Sequence, residues 1–127
     1  MEELVKAARE AREFAYIPYS EYAVGAAIES QDGSIYTGCN IEIANYSNTL
    51  HAEEVAIASA LMDGVTNFSR LAVSSAEQDG ITPCGMCRQT LHEFCSPELP
   101  IYCDCGDGVN KHLLQELLPE AMSQENL

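Results

Sequence analysis

Thr49–Gly64, TLHAEEVAIASALMDG, is the stretch on which the fold turns. Its later apolar positions read as the buried face of a helix, and Gly64 supplies the residue that ends it. A helix here separates a hairpin before it from a strand after it, which implies one mixed sheet covered by helices. The start of the stretch raises a question. His51, Glu53 and Glu54 stand where the helix is about to enter a core. Acids near a helix N-terminus complement the macrodipole, and taken alone that reading suffices.

Upstream, EELVKAAREAREFA (2–15) places Leu4, Val5, Ala8, Ala11 and Phe14 at helical spacing until Pro18 stops the run. YAVGAAIES (22–30), the turn QDGS (31–34) and IYTGC (35–39) read as a β-hairpin. A polar, irregular stretch, NIEIANYSN (40–48), then leads into the central helix. Downstream, SRLAVSS (69–75) is a buried strand. DGITPCGMCRQTLHEFC (79–95) is a loop followed by a third helix, with Pro83 in its first turn. PIYC (100–103) is a short strand and NKHLLQELL (110–118) a final helix. No repeat, linker or low-complexity segment interrupts the order, and 127 residues suit a single domain, 1–127.

Composition narrows the function. Hydrophobic residues make up 46% of the chain, enough for a packed core. No apolar run approaches the ~20 residues of a membrane span. MEELVKAARE lacks the pattern of a signal peptide, so a cytoplasmic protein is expected. The net charge of −14, from 20 acidic against 6 basic residues, disfavours nucleic acid, because no basic patch can be drawn. The same imbalance suits work in concentrated salt, where screening relieves self-repulsion.

Six cysteines in a reducing compartment point to metal or catalysis before disulfides. Cys84 and Cys87, in PCGMC, lie three residues apart at a helix start, with both sulfurs on one face. A thioredoxin-like redox pair would need this motif after a strand near the start of its fold, not in a loop past mid-chain. A structural zinc knot would add Cys103 and Cys105, but C-x-C is a poor second half and leaves His51 and Glu53 idle. A catalytic zinc takes three ligands, His51, Cys84 and Cys87, and keeps a fourth position open. His51 and Glu53 are two apart, hence about 200° apart around an ideal helix. That leaves the carboxylate free to act on water. H-x-E followed by P-C-x-x-C is the signature of zinc-dependent nucleobase deaminases.

With PYSEYAVGAAI, GCNIEIANY, HAEEVAI, PCGMCRQTLHEF and LLPEAMS in this order, the chain resembles the cytidine deaminase family, in its short-chain homotetrameric branch. The resemblance implies a three-layer α/β/α sandwich around a mixed five-stranded sheet, the fifth strand falling near Cys103 to Val109. It implies one Zn²⁺ per subunit held by His51, Cys84 and Cys87, with Glu53 as general acid and base. Asn40 and Glu42 would grip ribose hydroxyls. Tyr22 stands where the family usually has phenylalanine against the substrate. Tyr46 would help build a pocket shared between subunits, and Ala52 and Thr82 would read the pyrimidine edge. The implied reaction is hydrolysis of cytidine and deoxycytidine, small-molecule nucleosides, in pyrimidine salvage. A sister deaminase of a compound such as blasticidin S, and a zinc-stabilised binding module without turnover, are the alternatives.

Short-chain members commonly read C-A-E-R where this chain has His51-Ala52-Glu53-Glu54. One neutral imidazole and two thiolates balance Zn²⁺, so an arginine offsetting a third thiolate is not needed, and Glu54 is expected to be a plain helix-start acid. Ile43 replaces a usual asparagine, and Met122 a usual phenylalanine that reaches a neighbour's pocket. Arg88 is read either as a hydrogen-bond donor to a ligand sulfur or as a plain helix-face residue. Cys39, Cys95, Cys103 and Cys105 read as core or loop residues, and His92 and His112 as solvated helix positions.

Overall fold

The computed structural model describes residues 1–126 and builds the sheet from the hairpin outward. β1 (Val24–Ser30) and β2 (Ile35–Cys39) pair antiparallel, with Gly25 opposite Cys39 and Ile28 opposite Tyr36. The turn between them holds Gly33 at φ +92, a conformation costly for any residue with a Cβ. The other edge of β1 pairs antiparallel with β3 (Phe68–Ser75). β3 then runs parallel to β4 (Pro100–Asp104), and β4 antiparallel to β5 (Val109–Leu113). The strand order is β2-β1-β3-β4-β5, one mixed five-stranded sheet.

Alternation along β1 divides the core in two. Ala26 and Ile28 join Ala56, Ile57 and Leu91 from α2 (Ala52–Met62) and α3 (Gly85–Phe94) on one face. Ala27 joins Leu4, Val5 and Ala8 of α1 (Glu2–Ala11) on the other. The result is the expected three-layer α/β/α sandwich. A Cβ at Gly38 would lie 2.4 Å from the Ala52 carbonyl oxygen and 2.5 Å from the Ala56 amide nitrogen. The missing side chain therefore lets the first turn of α2 rest directly on the sheet.

A buried ion pair ties the α1 layer down. Asp104, at the end of β4, is fully buried and accepts from Arg9 Nε and Nη2, both at 2.7 Å. Ser74 Oγ donates to the same carboxylate at 2.7 Å, and Arg12 Nη1 donates to Ser74 Oγ at 2.7 Å. The Arg9 guanidinium holds the Asp104 carboxyl well below the ordinary range.

Three sequence expectations need correction. The N-terminal helix ends at Ala11 and tightens into a 3₁₀ turn, Arg12–Phe14, which leaves Phe14 80% exposed instead of in the core. Pro83 does not enter α3, because Cys84 is already its N-cap. NKHLLQELL is not one helix: it completes β5 to Leu113 and then makes a single turn, α4 (Leu114–Leu117). The fifth strand thus begins at Val109, where the expected segment ended. Pairing of Ile101 with His112 and Tyr102 with Lys111 gives β4 a partner. Helical leucine spacing loses to that tertiary demand.

Candidate active site

His51 is the N-cap of α2, in extended conformation, and its backbone N–H donates to Glu54 Oε1 at 2.6 Å. Glu54 is therefore a helix-start acid, as read from the sequence, and it fixes the backbone of the residue that carries the imidazole. The approach is fixed too: Ile41 and Leu50 exchange two backbone hydrogen bonds of 2.9 Å just before the cap. Cys84 caps α3 and Cys87 lies in its first turn, buried. Two helix N-termini thus face one point.

At that point His51 Nδ1 lies 3.0 Å from Cys84 Sγ and 3.3 Å from Cys87 Sγ. All three donor atoms fall within 4.8 Å of one another. Tetrahedral zinc with bonds of about 2.0–2.3 Å asks for nitrogen and sulfur donors converging at this scale. Burial and the Glu53 carboxylate push the Cys87 thiol far above its ordinary value. A dication inverts that balance and ionises a coordinating thiol. The donor set fits zinc in number, in type and in charge. Among the described residues, no other group of three or more such side chains converges in this way. Cys103 and Cys105 stand apart from it. Burial pushes the Cys103 thiol to about 12, and Cys105 Sγ reaches the Cys103 carbonyl at 3.7 Å.

Glu53 is 5% exposed and lines a pocket of about 280 Å³ beside the His51–Cys84 donors. Burial pushes its carboxyl above the ordinary range, against the opposing pull of Cys87 and His51. Asn40, Glu42, Tyr22, Ala52 and Thr82 line the same pocket, so the structure gathers around Glu53 the residues that the resemblance points to. Asn40 is held by Val24 N–H, which donates to its Oδ1 at 3.0 Å, and donates through Nδ2 to the Tyr22 carbonyl at 2.8 Å. The Ser20 hydroxyl and two backbone N–H groups, of Tyr19 and Ser20, donate to Glu42 and lower its pKa. No lysine or arginine lines the pocket among the described residues.

Tyr46 is 72% exposed and lines a neighbouring cavity with Tyr19, their rings edge-on at 5.9 Å. Met122 is likewise exposed, its carbonyl accepting from Gln89 Nε2 at 2.8 Å. Arg88 makes no bond to a ligand sulfur. Its donors go to the Pro83 carbonyl (2.7 Å), Thr82 Oγ1 (2.9 Å) and the Leu117 carbonyl (2.9 Å). It clamps the loop that presents Cys84, a role that neither sequence reading anticipated. Ser20, the partner of Glu42, was also missed. Its place in the turn PYSEY was the only signal. His92 sits in the last turn of α3 and His112 on β5, neither of them in the pocket lining.

The family described as "Cytidine and deoxycytidylate deaminase zinc-binding region" matches residues 1–103. The chain is 44% identical to the cytidine deaminase of Sporosarcina psychrophila, over 100% of this chain and 94% of that one. It is 38% identical to that of Halalkalibacterium halodurans, over 98% and 95%. Its fold matches the solved cytidine deaminase of Burkholderia pseudomallei with a TM-score of 0.90 at 39% identity, covering 95% of this chain and 98% of that one. For the Mycobacterium tuberculosis enzyme the TM-score is 0.86 at 37% identity, covering 96% of each.

Proposed function

The chain belongs to the family of cytidine and deoxycytidylate deaminases, and from that premise we propose that its 127 residues form one catalytic domain hydrolysing cytidine and 2'-deoxycytidine. Zinc is its cofactor, and His51, Cys84 and Cys87 are the residues that would hold the ion. A zinc ion in such a donor set supplies activated water at neutral pH. The observation that carries the reading is the presence of buried Glu53 in the same pocket as the imidazole and thiol donors.

Glu53 takes a proton from the attacking water on a carboxylate oxygen and delivers it to N3 of the pyrimidine, which makes C4 electrophilic. The water oxygen bonds to C4, and Glu53 then passes the remaining proton of that hydroxyl to the amine as the C4–N4 bond breaks, so cytidine and water become uridine and ammonia. One carboxylate serves both transfers because it stays within reach throughout. Burial raises the proton affinity of this carboxyl, against the pull of Cys87 and His51. Asn40 and Glu42 bind the ribose, prealigned by their bonds to Val24, Tyr22 and Ser20. Ala52 and Thr82 meet the pyrimidine edge. The absence of basic residues around the described pocket favours a nucleoside over a nucleotide or nucleic acid.

A homotetramer with shared sites belongs to the same reading. α2 is apolar on nearly all sides, yet its outward Met62 is 88% exposed, with Leu50 beside it at 44%. Tyr46 and Met122, exposed in one subunit, are the side chains a neighbour would use. Six unpaired cysteines suit a reducing cytoplasm, and the substrate places the enzyme in pyrimidine salvage. The charge of −14 suits high salt, which a KCl titration of activity and stability tests. No described helix is long and apolar enough to cross a membrane.

Ammonia release from cytidine, deoxycytidine, cytosine, dCMP and blasticidin S, with and without a chelator, tests the assignment. Chelator-sensitive turnover of the two nucleosides is expected. No turnover of either by zinc-loaded protein overturns it, and turnover of blasticidin S alone selects the sister activity. Light scattering tests the tetramer.

A further inference from the structure

Tyr22 is built into both walls of the pocket. Its backbone belongs to the ribose side: its N–H donates to Ser20 Oγ at 3.0 Å, and its carbonyl accepts from Asn40 Nδ2 at 2.8 Å. Its side chain reaches the opposite side, where the hydroxyl donates to Asp79 Oδ2 at 2.7 Å. Asp79 is itself held by Ser75, whose buried Oγ donates to Oδ1 at 2.8 Å. Asp79 lies in the loop that leaves β3 and delivers Ile81, Thr82 and Cys84 to the pocket.

The backbone on both sides of this bond is left-handed. Glu21, next to Tyr22, has φ 59, and Gln78 and Gly80, which bracket Asp79, have φ 48 and 70. Two of these three carry a Cβ, and such conformations persist only where surrounding contacts hold them. The Tyr22–Asp79 bond spans 57 positions of sequence and joins the two turns directly. A phenylalanine at position 22 could pack the same ring but could not make the bond.

We propose that the Tyr22–Asp79 hydrogen bond is a tether that holds the two walls of the pocket in register, with Asp79 a positioning residue for nucleoside binding that itself never touches substrate. The role in binding rests on the deaminase reading above; the tether itself does not. Asp79 acts on the loop carrying Thr82 and Cys84, so its loss is felt first in how well the closed pocket grips its ligand.

The test has two parts. Hydrogen exchange of the backbone amides of residues 77–82 reads the tether without turnover. Exchange is faster in Tyr22→Phe and Asp79→Ala than in the wild type, and unchanged exchange in both overturns the tether. Steady-state kinetics then read its role. Asp79→Ala raises KM for cytidine about fivefold with a much smaller change in kcat, a scale set by one hydrogen bond to a charged group at a solvent-accessible position. Asp79→Asn, whose side-chain oxygen still accepts from the hydroxyl, recovers most of that loss. The double variant Tyr22→Phe/Asp79→Ala is no worse than the poorer single variant. Effects that multiply in the double variant, or a KM that stays at the wild-type value in Asp79→Ala, overturn the role. A wild-type chain that does not turn over cytidine refutes the functional reading, while the exchange measurement still decides the tether.

Discussion

Asp104 is wholly buried and Glu53 is 5% exposed, yet the first carboxyl is held well below the ordinary range and the second is pushed above it. The difference lies in the partners each layer supplies. On the α1 side Asp104 meets the Arg9 guanidinium, the Ser74 hydroxyl and the Gly106 N–H, so its charge is satisfied at every turn. On the other side Glu53 forms no ion pair among the described residues and faces a pocket. A carboxylate satisfied by an ion pair and hydrogen bonds fixes structure, whereas a buried carboxyl that faces a pocket holds its proton more readily.

Removing the exchangeable carboxylate is the hardest test of this contrast. Glu53→Gln is expected to lower kcat about a hundred- to ten-thousandfold, the span usual for general acid–base groups, while bound zinc by metal analysis stays at the wild-type level. Chelation, by contrast, removes both metal and activity. A Glu53→Gln variant that keeps a tenth of wild-type kcat breaks the contrast.

Asp104→Ala strikes the other carboxylate. It strands Arg9, whose side chain is 38% exposed, so the cost is discounted from that of a fully buried pair to about 2–4 kcal/mol. Urea unfolding measures it. The kcat of the folded fraction is expected to stay within about twofold, since Arg9 and Asp104 are outside the pocket lining. Unchanged stability with lost activity would exchange the two roles.

The pH dependence sharpens the same point. The folded pKa of Asp104 lies below its ordinary 3.8, so the native state binds fewer protons there than the unfolded chain. Its stabilisation is fully present above that ordinary value and is lost as pH falls through the folded one. Wild-type unfolding free energy should drop steeply below about pH 4, and Asp104→Asn should lack that part of the slope. Equal acid slopes in the two proteins would mean the pair contributes nothing through its charge.

Sequence alone resolved most of what depends on local spacing. The hairpin follows from its β-prone runs and the QDGS turn, the α2 stretch from its apolar run, and the convergence of His51, Cys84 and Cys87 from H-x-E and P-C-x-x-C. What escaped it depends on partners far along the chain. Arg9 and Asp104 are 95 positions apart, and nothing local marks either as half of an ion pair. NKHLLQELL carries leucines at helical spacing, yet its first part, Asn110 to Leu113, pairs with β4 as a strand. Arg88 could be placed on a helix but not aimed, because its acceptors lie in the preceding loop and at Leu117.

A third carboxylate sets the lower end of the scale. Glu54 adjoins Glu53 but is half-buried, and its Oε1 accepts from the His51 N–H at 2.6 Å. Its work is to start a helix, and a neutral acceptor can do nearly the same. Glu54→Gln is therefore expected to keep kcat/KM within about twofold and to cost about 0.5 kcal/mol, whereas Glu54→Ala, which removes the acceptor, costs about 1 kcal/mol. Thermal unfolding and cytidine kinetics on the same preparations separate the two quantities. Should Glu54→Gln lose as much activity as Glu53→Gln, burial would no longer be what distinguishes the proposed proton carrier from the cap. Because both glutamates sit in one helical turn, the pair of variants isolates burial from proximity to the proposed metal ligands.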